Sequence, residues 1–208
     1  MILEKKKIKN IIFDLGNTLI FFDFWYFYDG LSRLEKNLNL KKFVKFINEK
    51  KLDTKLATGK INHKEFFKIL KKKFNLKTGY KDFIFLYSDI FWENSPMLSF
   101  LEKIVEEDKQ KIYLLSNTDS AHFGFITKNF PVISNIRYRI LSYKVAMMKP
   151  QSKIFNFVIN KYNLNPDETL LIDDMKDNII SASKTGLQTL HYKTHKKFQK
   201  EIKNFLFV

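Results

Sequence analysis

Acids, a hydroxyl, an amide and a lysine recur in this 208-residue chain wherever an apolar run gives way to a turn. The first is Asp14 in FDLGNTL, and Ser116 with Asn117 follows in LLSNTD. Lys149 then stands in MMKP, and the pair Asp173 and Asp174 in LIDDMKDN. Taken singly, most have an ordinary explanation: Asp14 suits a helix cap, Ser116 and Asn117 a turn, and Lys149 a solvated loop. The acidic pair is harder to dismiss. Two carboxylates at one strand end repel each other unless a cation, a donor or a proton comes between them. Together and in this order, the groups offer oxygen ligands for a hard cation, donors for an anion's oxygens and an ammonium to offset its charge.

The elements that must position these groups are legible as five short, continuous apolar runs: Ile8 to Phe13, Lys111 to Leu115, Arg139 to Leu141, Thr169 to Ile172 and Leu187 to His191. Continuous rather than alternating runs are the pattern of buried parallel strands. Helical patterns lie between the later runs, notably Ser152 to Tyr162 with its stripe of Ile154, Phe155, Val158 and Ile159. The alternation predicts an α/β fold, a doubly wound, Rossmann-like parallel sheet. In such sheets a ligand sits beyond the carboxyl ends of the strands, where the motifs stand.

From about Leu19 to Ser95 this rhythm breaks. The segment shows no convincing strand and several amphipathic helices, including Leu40 to Lys50 and His63 to Phe74. Gly59 is expected to close one helix, and Asn62 to cap the next with Glu65 three residues on, as in a capping box. We therefore expect a core of residues 1–18 and 96–208 and an inserted helical cap of residues 19–95.

A length of 208 residues and 45% hydrophobic content suffice for one sizeable core, or a core with a smaller insertion. Cysteine is absent, which removes disulfides and thiolate metal clusters and suits a reducing, cytoplasmic setting. The amino terminus, MILEKKKIKN, is basic, but Asp14 interrupts the apolar stretch after it, so neither a signal-peptide core nor a membrane span is expected. The formal charge of +15 is spread in clusters such as Lys5 to Lys7, Lys71 to Lys73 and Lys196 to Lys197. Lysine recurs along the whole chain, so a compositional bias is the plain reading, and charge alone does not choose among nucleic acid, an anionic membrane surface and anionic small molecules. No zinc finger, aromatic RNA-binding signature or zipper accompanies it, so nucleic acid is a minor alternative. Oligomeric state is left open.

With its motifs in this order, the chain resembles the haloacid dehalogenase-like superfamily, whose members run nucleophilic Asp, Ser or Thr, Lys and an acidic pair. Asp14, Ser116, Lys149 and Asp173 with Asp174 match those positions, and Asn178, Ala182 and Gly186 fall at the spacing of the helix after the acidic pair. The resemblance covers Ile8 to Phe13 and the chain from about Pro96. The insertion matches in position and helical character, and is similar to the small helical caps of sugar-phosphate phosphatases such as the bacterial glucose-1-phosphate phosphatases. This implies a Mg²⁺-dependent phosphatase cleaving a small phosphorylated metabolite, a sugar phosphate first, through an aspartyl-phosphate on Asp14. It further implies Asp14, Asp173, Asp174 and the Gly16 carbonyl as metal ligands, Ser116 and Asn117 as donors to phosphate, and Lys149 as the catalytic and binding cation.

One position departs from that pattern. The superfamily's phosphatases carry a second Asp two residues after the nucleophile, as acid and base for the leaving oxygen, and here Gly16 stands there. Such a group is typically worth about 10²- to 10⁴-fold, roughly 3 to 5 kcal/mol. Either Asp23, Asp119 or His122 replaces it, or the leaving group is activated, or the protein is a weak or inactive binder of phosphorylated ligands. A 2-haloacid dehalogenase is the rival chemistry, since those relatives also lack the second Asp. They attack carbon without a metal, which gives no reason to keep the pair Asp173 and Asp174. Of the remaining groups, His63, His191 and His195 show no zinc spacing, His122 is expected to pack or face solvent, and Trp25, Tyr26 and Tyr28 follow the nucleophile closely enough to stack on a sugar.

Overall fold

A computed structural model describes residues 7–206. The basic cluster at Lys5 and Lys6 lies outside them. Seven strands form, β1 (Asn10–Phe13), β2 (Ile20–Phe22), β3 (Phe91–Glu93), β4 (Lys111–Ser116), β5 (Tyr138–Leu141), β6 (Thr169–Asp173) and β7 (Gln188–His191). Five of these make a wholly parallel sheet in the order β5-β4-β1-β6-β7. The five runs expected from the sequence are its strands, with ends shifted by no more than two residues.

Both central strands are buried along their length, so every side chain must be apolar or be paired. Alternate residues serve opposite faces. Ile11 and Phe13 join Leu114, Leu170 and Ile172 on one face. There α6 (Ser95–Glu107), α7 (Ser120–Asn129) and α12 (His195–Leu206) cover them with Leu101, Ile126 and Phe198, among others. Ile12 joins Tyr113, Leu115 and Leu171 on the other. That face is closed by Phe155 and Val158 of α10 (Ser152–Tyr162) and Ala182 of α11 (Lys176–Ser183). Two single-turn helices, α8 (Pro131–Ser134) and α9 (Ser142–Val145), flank β5.

Between β2 and β3 run α1 (Trp25–Leu34), α2 (Leu40–Glu49), α3 (Leu52–Ala57), α4 (His63–Phe74) and α5 (Tyr80–Ser88). They bury their own cluster, rich in aromatic rings: Phe27, Phe43, Phe66, Phe67, Phe83 and Tyr87. The predicted capping box is present, with Asn62 accepting from the backbone of Glu65 and the Glu65 carboxylate accepting from the Asn62 N–H. Gly59 follows α3 at φ +67°, a left-handed conformation that favours glycine.

The segment is not strandless as expected. β2 and β3 pair antiparallel, Ile20 opposite Glu93 and Phe22 opposite Phe91, as a ribbon at the two ends of the helical stretch. Each strand has three residues, too few for an alternation to show in sequence. No helix among the described residues is long and apolar enough to cross a membrane.

Candidate active site

The carboxyl ends of β1, β4 and β6 bring the motifs together. Asp14 follows β1 directly, its backbone N–H donating to the Ile172 carbonyl of β6 at 2.9 Å, which fixes where the carboxylate starts. Lys149 enters from the loop after α9 and is only 2% exposed. Its Nζ lies 2.5 Å from Asp14 Oδ1 and 2.6 Å from Asp173 Oδ2. A buried ammonium needs such partners, since burial alone would favour its neutral form. Burial indeed pulls its pKa down, but the charges of Asp14 and Asp173 outweigh that and raise it, so the lysine stays charged.

Asp173 is fully buried and already well supplied with donors. Besides Lys149, it accepts from Asn178 Nδ2 at 2.8 and 3.0 Å and from the Met175 backbone at 2.9 Å. Asp174 is half-buried and less constrained. Oxygens of Asp14, Asp173 and Asp174 lie within 4.8 Å of one another, in a cluster that has the ligand types of a hard divalent cation. The electrostatics agree. Asp14 is pushed up to about 7, by burial first and by the charges of Asp173 and Asp174 against the pull of Lys149. Asp174 is raised as well, by burial and by Asp173. Asp14 therefore gains and loses its proton around neutral pH.

Ser116 ends β4, 2% exposed, beside this group. Asn117 makes a contact that the sequence did not show. Its Nδ2 donates to the Lys149 carbonyl and its Oδ1 accepts from the Lys149 N–H, both at 2.8 Å, so the side chain braces the loop that delivers the lysine. Thr18 was not singled out from the sequence, yet its hydroxyl reaches Asp14 Oδ2 at 3.4 Å. The signal was a hydroxyl four residues after the acid, inside the quoted motif.

Gly16 explains its own identity. A Cβ built there would meet Phe22 Cε1 of β2 at 2.6 Å, so the aromatic ring occupies the space an acid at this position would need. None of the proposed replacements is free in this arrangement. Asp23 is exposed and caps the Trp25 N–H at 2.8 Å. Asp119 caps α7 through Oδ1 and receives Tyr87 Oη and His122 Nδ1 on Oδ2, each at 2.9 Å. Burial would raise the Asp119 carboxyl, but the His122 charge and these hydrogen bonds bring it to about 2. Such a group is an anion at neutral pH and holds no proton to give. His122 has both ring nitrogens engaged and is buried, the packed alternative anticipated for it.

The remaining candidates disperse. Trp25 and Tyr26 are 61% and 57% exposed, Tyr26 meeting Trp92 edge to face, while Tyr28 is half-buried against Phe24 and Phe27. His63 pairs with Ser120, and His191 with the Asp174 carbonyl. A cavity of about 140 Å³ separates Asn117 and Thr118 from Asp53 and Thr54 of α3. A larger one, about 700 Å³, opens beside Asp174 and is lined by Asn17, Phe21 and Lys193.

Comparison with known proteins decides the family. The haloacid dehalogenase-like hydrolase family matches the chain over residues 8–186. The chain belongs to the haloacid dehalogenase-like hydrolase family. A curated relative, D-ribitol-5-phosphate phosphatase of Bacteroides thetaiotaomicron, is 24% identical over 195 residues, 88% of this chain and 90% of that protein. The crystal structure of a haloacid dehalogenase family enzyme from the same organism superposes with a TM-score of 0.82 at 27% identity, covering 95% of this chain and 99% of the other. A complex of that enzyme with magnesium and inorganic phosphate gives 0.73 at 28% identity, covering 89% and 94%.

Proposed function

We propose that this haloacid dehalogenase-like hydrolase is a Mg²⁺-dependent phosphatase that cleaves a small sugar or polyol phosphate through an aspartyl-phosphate on Asp14. The observation that carries the reading is the buried Lys149 ammonium bridging Asp14 and Asp173, with Asp174 and Ser116 beside it. An ammonium next to a carboxylate nucleophile offsets the repulsion a phosphate dianion would otherwise meet. The donor set fits magnesium: Asp14 and Asp174, with the Gly16 carbonyl, would hold the ion, and Asp173, engaged by Lys149, Asn178 and Met175, orients the lysine and completes the acidic cluster. When bound, the ion supplies positive charge against the phosphoryl oxygens.

In this reading the Ser116 hydroxyl and the Lys149 ammonium seat the phosphate, while Asn117 holds the lysine's backbone in place. The Asp14 carboxylate attacks phosphorus in line. The P–O bond to the alcohol breaks, its electron pair leaves with the alcohol oxygen, and that oxygen takes a proton from water. A second water then attacks the aspartyl-phosphate, releasing inorganic phosphate and restoring Asp14. Phe22 stands where the family's acid would be, so the chain itself offers no proton donor there. Helices α1–α5 form the cap that walls the leaving group.

The test is hydrolysis of a panel of anomeric sugar phosphates and primary sugar and polyol phosphates, D-ribitol 5-phosphate included, with Mg²⁺ and with a chelator. Turnover that requires Mg²⁺ and is lost in Asp14→Asn is the expected result. A clear preference for anomeric phosphates would identify an activated leaving group as the answer to Gly16. Chelator-resistant chloride release from 2-chloropropionate, with no phosphate ester turned over, would replace the reading with dehalogenation.

A further inference from the structure

Among the described residues, every side-chain hydrogen bond between residues 24–89 and the α/β core ends on one short stretch. His63 Nδ1 meets Ser120 Oγ at 3.0 Å, Tyr87 Oη donates to Asp119 Oδ2 at 2.9 Å, and His122 Nε2 lies 2.8 Å from the Tyr87 carbonyl oxygen. Asp119, Ser120 and His122 are the cap and first turn of α7. They come immediately after Ser116, Asn117 and Thr118, the loop that faces the acidic cluster. Close backbone approach occurs at a second place only a few residues away in space, where Gly59 meets the Tyr143 carbonyl of α9 too closely for a side chain.

His122 is the centre of this joint. It is 6% exposed and stacks on the Tyr87 ring at 4.1 Å, with Phe24 and Phe91 meeting it edge-on. Its Nδ1 lies 2.9 Å from the Asp119 carboxylate and its Nε2 faces the Tyr87 carbonyl. Both partners are acceptors, so only the imidazolium donates to both. The Tyr87 carbonyl also belongs to the last turn of α5, where carbonyls lack partners within the helix and the dipole favours a cation.

The other charges around the joint are fixed. Asp119 is an anion, for the reasons given above. The Tyr87 hydroxyl is pushed well above its ordinary range by burial, then by the Asp119 charge and hydrogen bond, with smaller contributions from Tyr28 and Asp53. Tyr143 of α9 is raised likewise, by burial and by Asp119. His122 stands apart from these groups in that both of its ring nitrogens meet acceptors.

We propose that His122, as an imidazolium held between Asp119 and the carbonyl end of α5, is a positioning residue that fixes the helical segment in register with the phosphate-binding loop. Its catalytic consequence rests on the phosphatase reading; the clamp itself does not. A neutral imidazole carries a single N–H, so it can donate to only one of these two acceptors and leaves the other without a donor. A hydrogen bond to a charged group is worth enough for an effect of about tenfold or more.

The experiment is amide hydrogen exchange of α5 and the first turn of α7, corrected for intrinsic rates, at about pH 6 and about pH 9 in the full-length protein. Wild type is expected to lose protection there by about tenfold on going to the higher pH. His122→Gln is expected to show the lower protection at both, and kcat/KM about tenfold below wild type near pH 6 without the wild-type decline on the alkaline side. Tyr87→Phe keeps the ring and the carbonyl, so it should lower protection while keeping the pH dependence, which decides the matter if His122→Gln fails to fold. Equal wild-type protection at the two pH values, or the same pH dependence in His122→Gln, would overturn the clamp. A protein that hydrolyses no phosphate ester but shows the exchange pattern would refute the phosphatase reading and leave the clamp standing.

Discussion

At the scale of residues, the site is organised around one lysine. Lys149 is held by two carboxylates at its ammonium and by both polar ends of Asn117 at its backbone. The acidic cluster around it is under electrostatic load, because burial first, and then the charges of Asp173 and Asp174, push Asp14 up to about 7 against the pull of Lys149. The sign of the consequence is definite. A carboxylate whose pKa is higher folded than unfolded favours the fold below its ordinary titration, and this contribution is lost as the pH rises from about 3.8 through about 7. A divalent cation competes with that proton, so Mg²⁺ should raise the melting temperature more at pH 8 than at pH 5.5. Thermal melts of wild type with and without Mg²⁺ check this; an equal or larger shift at the lower pH would speak against ligation by this cluster.

The residue scale was also the most legible in sequence. Asp14, Ser116, Lys149, Asp173 and Asp174 converge because each ends or follows a strand, and strand ends were visible as breaks in apolar runs. The role of Asn117 was not legible, since a side chain bracing the backbone of residue 149 depends on a contact across 32 positions of sequence. The same holds for Phe22. Nothing in a sequence says that a phenylalanine six residues after Gly16 folds back onto it.

At the scale of elements, that fold-back comes from the ribbon of β2 and β3. Pairing Phe22 with Phe91 aims the ring at Gly16, with Phe24 and Phe91 at 5.9 and 6.0 Å supporting it. Gly16→Ala should therefore destabilise by about 1–3 kcal/mol through overpacking. Phe22→Ala should cost less in the Gly16→Ala background than in wild type, because the two changes share one space. Urea unfolding of the two single variants and the double variant measures the coupling, and simple additivity would mean the ring moves aside freely. Three helices, α2, α4 and α10, were readable from their apolar stripes and stand where expected. The ribbon was not, because three residues carry no period.

At the scale of the whole molecule, two hydrophobic units meet at the carboxyl ends of the sheet. One covers both faces of the parallel strands, and the other is the aromatic cluster of α1–α5. Their polar contacts gather on the first turn of α7, next to Ser116, so the geometry of the joint and of the site are set together. In the proposed reaction Asp14 carries the phosphoryl group between the two halves. Acid quenching during turnover of a hydrolysed sugar phosphate, followed by peptide mass spectrometry, tests it directly. The expected result is the mass of one phosphoryl group on the peptide containing Asp14 when Mg²⁺ is present, and none with a chelator or in Asp14→Asn. Phosphate release by Asp14→Asn at the wild-type rate, or a label on another residue, would contradict it.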